Sequence, residues 1–182
     1  MKTVLIPLAP GFEEIEALTV VDILRRADVN VITAGTVDGL IEGRSKIKVL
    51  ADVSIEKVNP DIIDMIVLPG GQPGTNNLKN NQTVLNIVKT IYNKNCYTAA
   101  ICAAPTVLSA IGILNNKKIT SHQSVKKDLT MTQYSEDRVV VDGNIITSRS
   151  PGTAMEFAMK LLEILCGKET MEKVNQSVLA KL

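Results

Sequence analysis

Short, continuously apolar runs rich in β-branched residues alternate with helix-length amphipathic segments along this chain. That alternation narrows the fold more than any other feature. Thr3–Leu8, Val29–Ala34, Met65–Leu68 and Tyr97–Ile101 read as strands. They do not alternate apolar with polar residues, so each strand is expected to be covered on two faces, as in a parallel sheet. Helical patterns fill the gaps at Glu13–Ala27, Thr83–Asn93, Ala103–Ile111 and Pro151–Leu165. The βαβα order predicts an α/β sandwich of three layers, with a mostly parallel central sheet and helices on its two faces. Two places break the rhythm. Val37–Ala51 carries Asp38-Gly39 and Gly43 among apolar residues and reads as a hairpin excursion. Arg138–Val141 and Asn144–Thr147 flank Asp142-Gly143, which supplies the positive φ of a tight antiparallel turn. With no repeat or linker in 182 residues, the whole span 1–182 is expected to form one domain.

Composition removes several function classes. Lys+Arg is 20 and Asp+Glu is 19, so no charge excess draws the chain to nucleic acid or an acidic membrane. Aromatic residues are 3%, too few for a base-stacking platform. One His and three scattered Cys lack the spacing of a zinc site, and three Cys do not make a disulfide framework. No metal is expected. The opening MKTVLIPLAP leads straight into Glu13 and Glu14, so it reads as a first strand rather than a signal peptide. The longest low-charge stretch, Ala99–Leu114, is shorter than the roughly 20 apolar residues of a membrane span. A cytoplasmic protein with reduced thiols is the expectation.

The chemistry concentrates at Cys102. A buried strand is expected to end at Ile101 and a helix to begin at Ala103, with Pro105 tolerated in its first turn. In doubly wound sheets, ligands bind beyond the carboxyl ends of the strands, and a residue at such a sharp turn projects into that crevice. Amides at a helix start favour negative charge, which predicts a lowered thiol pKa. Cys102 thus reads either as a nucleophile or as a small buried core residue. Cys96 and Cys166 lack this context and read as structural.

Three further segments supply candidates. On a helical wheel Ala17, Val20, Ile23, Leu24 and Ala27 form the apolar stripe, and Glu16 falls inside its flank. A carboxyl packed toward a sheet is partly desolvated, so its pKa rises, and in its protonated form it donates to a thiolate. Glu14 lies on the opposite edge, and Glu13 occupies the first turn, where a dipole role suffices. Gly70 and Gly71, in Leu68-Pro69-Gly70-Gly71, allow backbone amides to approach a reacting centre, as an oxyanion hole requires. Ser148-Arg149-Ser150-Pro151-Gly152-Thr153 opens the last long helix, with Ser150 at the cap and Pro151 at the first position. His122, the one histidine, lies in a polar loop that reads as solvated surface or as cleft lining.

Taken together, Leu8-Ala9-Pro10-Gly11-Phe12-Glu13-Glu14-Ile15-Glu16, Val21-Asp22-Ile23-Leu24-Arg25-Arg26, Leu68-Pro69-Gly70-Gly71, Ala99–Thr106 and Thr147–Thr153 resemble the ThiJ/PfpI superfamily. The similarity runs over nearly the whole chain. Within that superfamily it points to the branch of the parkinsonism-associated deglycase and its bacterial relatives. The resemblance implies a flavodoxin-like sandwich, a homodimer and no metal or organic cofactor. It maps the reactive cysteine to Cys102, the protonated glutamate to Glu16 and the oxyanion amides to Gly71 and Ala103, and sets His122 near the cysteine pocket. Arg149, Ser150 and Pro151 are its expected pocket residues. The family's Ser-Arg order appears here as Arg44-Ser45, and Ser150 and Gln123 stand where the family often has Gly and Pro.

The resemblance implies activity on small dicarbonyls, methylglyoxal and glyoxal, or on glycated side chains. A redox-sensing chaperone built on the same oxidisable thiol is the alternative. A peptidase of the neighbouring families is disfavoured, because those place His directly after the cysteine and this chain has Ala103.

Overall fold

A computed structural model describes residues 1–182. In chain order the first half runs β1 (Thr3–Leu8), α1 (Glu14–Arg25), β2 (Asn30–Gly35), β3 (Leu40–Glu42), β4 (Lys48–Leu50), β5 (Val53–Ser54), β6 (Met65–Leu68), α2 (Gly74–Lys79) and α3 (Gln82–Asn93). The second half runs β7 (Tyr97–Ile101), α4 (Pro105–Ala110), β8 (Lys118–Ile119), β9 (Gln133–Tyr134), β10 (Val139–Asp142), β11 (Ile145–Ser148), α5 (Ala154–Cys166) and α6 (Lys168–Val178).

Seven strands form the central sheet in the order β10-β11-β7-β6-β1-β2-β5. All neighbours are parallel except the edge pair β10–β11. Every residue of β1 and β6 is buried, as continuous apolar runs demand when two faces are covered. Because side chains alternate along a strand, Val4, Ile6 and Leu8 enter one core while Leu5 enters the other. The first core, of 24 buried residues, is completed by α1, α5 and α6, and the second, of 22, by α2, α3 and α4. The near-equal sizes make this a sandwich with helices on each face, the predicted flavodoxin-like α/β architecture.

Several boundaries differ from the sequence reading, each for a local reason. Helix α1 begins at Glu14, with Glu13 in extended conformation at the cap. Helix α4 begins at Pro105 rather than Ala103, because Cys102 adopts a left-handed conformation that cannot start a helix. Pro151–Thr153 forms a 3₁₀ turn, and the α-helix follows from Ala154. In the last hairpin Asp142 pairs with Ile145, so the two-residue turn is Gly143-Asn144, with Gly143 at φ +63. The early excursion is a hairpin, with Leu40 opposite Leu50 and Glu42 opposite Lys48. Helices α2 and α6 were not anticipated. The first is only six residues long, and the second buries little beyond Val174, so neither carries a readable apolar stripe. No helix is long and apolar enough to cross a membrane.

The chain leaves β1 toward β2 on one side and later returns to place β6 on the other. The carboxyl ends of β1 and β6 therefore flank a topological switch point, where the loops that leave them diverge and open a crevice. Strand β7 is next in line.

Candidate functional site

Three loops converge on that crevice: the β1–α1 turn, the Pro69–Pro73 loop after β6, and the elbow after β7. Cys102 is the elbow. Its φ is +64, an uncommon value for a residue with a Cβ, and it is held there at its two backbone groups. Its N–H donates to the Ser148 carbonyl at 3.0 Å, and its own carbonyl accepts from the His122 N–H at 2.8 Å. Strain of this kind costs on the order of 1–3 kcal/mol and persists only where surrounding structure over-determines it. The elbow turns the thiol into a cavity of about 180 Å³ lined by Arg44, Gly71, Gln72, Cys102, Ala103, His122, Ser124 and Pro151. Cys96 and Cys166 are also free thiols, but neither lines it.

Glu16 lies beneath the sulfur. The helical wheel set it on the flank of the apolar stripe, and it is fully buried. Its Oε2 accepts from the Gly70 N–H at 2.8 Å. Its Oε1 is sealed from solvent without a well-formed hydrogen bond, and the polar neighbour with which the carboxyl interacts is the Cys102 thiol. Gly70 is the spacer between them. A Cβ there would meet Glu16 Oε2 at 2.6 Å and the Cys102 Cβ at 2.7 Å, so no larger residue fits without moving a reacting group. Gly71, at φ +90, would meet the backbone of Gly11, Phe12 and Glu13. These two glycines let the β6 loop wedge between α1 and the elbow.

Burial raises the Glu16 pKa to about 7, against weaker opposing bonds from Cys102 and the Gly70 amide. The thiol does not show the lowering expected of a helix start. Burial, then the charge of Glu16, then its hydrogen bond push Cys102 up to about 12, outweighing the amides of Ala103 and Gly71. The reason is geometric: α4 starts three residues beyond the sulfur and is six residues long, so little dipole reaches it. Sulfur and carboxyl form one coupled unit, since two adjacent buried anions repel strongly. When Glu16 holds its proton, the charge that raises the thiol vanishes and the carboxyl becomes a donor. The sulfur borders an open cavity, whereas the carboxyl accepts one amide and is sealed.

The remaining predicted residues divide. Pro151 lines the cysteine cavity, as does His122, which is exposed. His122 Nδ1 accepts from the Ser124 N–H at 3.2 Å and lies 2.8 Å from Ser124 Oγ. An Nδ1 that accepts an amide carries no proton, so the ring proton is on Nε2. Arg149 and Ser150 do not line the cysteine cavity. They line an adjoining groove, because Arg149 is drawn toward Glu136, with Nη2 2.7 Å from Oε2 and Nη1 donating to the Glu136 carbonyl at 2.9 Å.

Gln72 and Ser124 line the cavity and have no counterpart in the sequence reading, and Arg44, noted there only as a departure from the family's order, lines it as well. Arg44 arrives on the loop between β3 and β4. Its N–H donates to the Phe12 carbonyl at 2.8 Å, and Nη1 lies 3.3 Å from Glu13 Oε2. The reversed Arg44-Ser45 order therefore still delivers a cation to the cavity rim. Glu14, on the opposite edge of the apolar stripe, is buried under the same loop and accepts from the Ser45 N–H at 2.8 Å. No group of three or more His, Cys, Asp or Glu is arranged to hold a metal ion.

Comparison with known proteins bears on this site. Residues 2–164 match the model of the DJ-1/PfpI family. Protein dj-1beta of Drosophila melanogaster is 41% identical over 181 residues, which are 98% of this chain and 97% of that protein. The crystal structure of Drosophila melanogaster DJ-1beta superposes with a TM-score of 0.95, covering 98% of this chain and 97% of that one, at 41% identity. A Caenorhabditis elegans protein named glutathione-independent glyoxalase DJR-1.2 is 37% identical over 171 residues, 92% of this chain and 91% of its own.

Proposed function

The chain belongs to the DJ-1/PfpI family, and on that premise we propose that it is a cofactor-independent, cysteine-dependent enzyme acting on methylglyoxal, glyoxal or their adducts. The observation that carries this reading is a sealed carboxyl, titrating near 7, coupled to a sulfur that opens into a small cavity. A general acid–base group works best when its pKa lies near the operating pH.

The chemistry follows from these groups and water. The Cys102 thiolate adds to the aldehyde carbon of methylglyoxal, and Glu16 gives its proton to the oxygen, leaving a hemithioacetal and a carboxylate. The amides of Gly71 and Ala103, residues that line the cavity beside the sulfur, stabilise the oxygen anion that develops there. The Glu16 carboxylate then takes the proton from the aldehyde carbon and returns it to the neighbouring ketone carbon through an enediol. The first carbon is oxidised to a thioester as the second is reduced to an alcohol, so no external oxidant enters. Water hydrolyses the lactoyl thioester to lactate and frees the sulfur. An adduct on another thiol is already a hemithioacetal, and its transfer to Cys102 releases that thiol. The relative named as a glyoxalase supports this class of reaction for the family.

A second copy of this chain is the partner assigned to Ile15, Leu40, Ile47 and Leu50. These are large apolar side chains more than half exposed on α1 and around the β3–β4 hairpin. Three free thiols suit a reducing compartment, and the cytoplasm is the one assigned. The half-buried Cys102 thiol also favours oxidation sensing, because a thiolate at an open cavity is converted by peroxide to sulfenic and sulfinic acid.

Lactate production from methylglyoxal by wild type and Cys102→Ser tests the enzymatic reading. The variant is expected to lose at least about 10³-fold in kcat with its melting temperature within a few degrees of wild type. Turnover that survives the substitution rejects a cysteine nucleophile.

A further inference from the structure

Beside the cysteine cavity runs a groove of about 310 Å³ lined by His122, Gln123, Arg138, Arg149, Ser150 and Thr153. His122 lines the two cavities, and its backbone N–H is bonded to the Cys102 carbonyl, so they adjoin across one residue. No apolar side chain and no carboxylate lines the groove, whereas the other sizeable cavities outside this cleft each include an aspartate or glutamate.

The two arginines are held in fixed poses without being used up. Arg138 donates through Nε to Glu156 at 2.6 Å and through Nη2 to the Gly152 carbonyl at 2.8 Å, leaving Nη1 free. Arg149 is anchored on Glu136 through Nη1 and Nη2, leaving Nε free. Glu136 is shared with Lys126, whose Nζ lies 2.7 Å from Oε1. Two cations, Arg138 and Arg149, line the groove, and their carboxylate partners Glu156 and Glu136 stand outside its lining. The side chains of Gln123 and Ser150 and the Nε2–H of His122 add neutral donors. A cleft wall of pre-positioned donors, with two guanidiniums that keep a free N–H and no carboxylate in the lining, recognises a carboxylate.

We propose that this groove seats the carboxylate of the group that carries the dicarbonyl. The preferred substrate is then an anionic adduct, such as the methylglyoxal hemithioacetal of a carboxylate-bearing thiol, rather than the free dicarbonyl. The proposal rests on the catalytic reading of Cys102 for its substrate, but the groove is testable without turnover.

Two hemithioacetals of methylglyoxal, formed with N-acetylcysteine and with N-acetylcysteine amide, share one reacting carbon and differ by one charge. The anionic adduct is expected to show about tenfold higher kcat/KM, carried by KM. Arg138→Gln is expected to bring that ratio to about one, and Arg138→Lys to restore part of it. Independently, His122 is the only histidine of the chain, so its ring gives a single imidazole set in the proton spectrum. Titration with N-acetylalanine should move that signal, and titration with N-acetylalanine amide should not. A moved signal without turnover of either adduct keeps the groove and rejects the enzymatic reading. Equal kcat/KM for the two adducts, with the His122 signal unmoved by the carboxylate, overturns the groove.

Discussion

Two carboxylates, one at the candidate site and one at the sheet edge, are drawn away from water and shift in opposite directions. At the edge, Asp52 Oδ2 accepts from the Thr33 N–H at 2.9 Å, the Thr33 hydroxyl at 2.8 Å and Arg25 Nη2 at 2.7 Å. Burial works to raise its pKa, but the amide and hydroxyl of Thr33, then Arg25, overcome it, and the pKa falls. Arg25 also donates to the Val31 carbonyl at 2.8 Å, so this ion pair occupies β2 backbone groups beyond the reach of the short β5. Glu16 receives one amide and no directly bonded cation, and burial dominates. The contrast separates a structural carboxylate, saturated with donors and fixed in charge, from one left under-coordinated so that its proton can move.

The largest effect that tests this contrast is on turnover. Glu16→Gln keeps a buried side chain of the same shape but has no exchangeable acid proton. It is expected to lower kcat for lactate formation by about 10²-fold or more. In the same variant the charge of Glu16 and its hydrogen bond, which raise the thiol, are removed, so the Cys102 thiolate titration, followed by absorbance near 240 nm, should move downward. An unmoved titration would mean that Glu16 does not set the charge state of the sulfur.

The next effect is on stability, and its sign differs between the two regions. Between 4.5 and about 7 the folded protein retains a proton on the Glu16–Cys102 unit that the unfolded chain has released. Unfolding free energy therefore falls as pH rises through that window, by up to about 3 kcal/mol, and Glu16→Gln should flatten the fall. Asp52 behaves oppositely: its contribution is present above 3.8 and is lost as pH falls through its lowered folded pKa. Urea titrations at several pH values separate the two. A wild-type stability that rises from pH 4.5 to 7 by the same amount as that of Glu16→Gln would remove the burial argument.

The smallest effect is at the edge itself. Asp52 and Arg25 are nearly half exposed, so Asp52→Asn is expected to cost only about 1 kcal/mol at neutral pH, with lactate formation unchanged. A large loss of turnover in that variant would join the two regions that the contrast sets apart.

Much of the architecture was legible in the chain because buried parallel strands announce themselves locally. Thr3–Leu8, Met65–Leu68 and Tyr97–Ile101 coincide with β1, β6 and β7, and the order of helices between them implied the layers. Cys102 was legible because a strand followed by Ala-Ala-Pro marks an elbow, and Glu16 because a helical wheel placed an acid on an apolar flank. Arg44 was not, since what brings it to the cavity is a hairpin that folds back onto Phe12 and Glu14. Arg149 lines the adjoining groove rather than the cysteine cavity, because the pull of Glu136 is a tertiary contact.

Sequence by itself determined the alternation of strand and helix, the glycines able to pass between packed backbones, and the presence of a thiol and a carboxyl at the same edge of the sheet. Those are consequences of short-range periodicity and of what each residue type permits. Only the tertiary structure decided how the proton is shared. The pKa values of Glu16 and Cys102 depend on which amides reach each atom and how much water is excluded, and those quantities exist only once the β1, β6 and β7 loops have met.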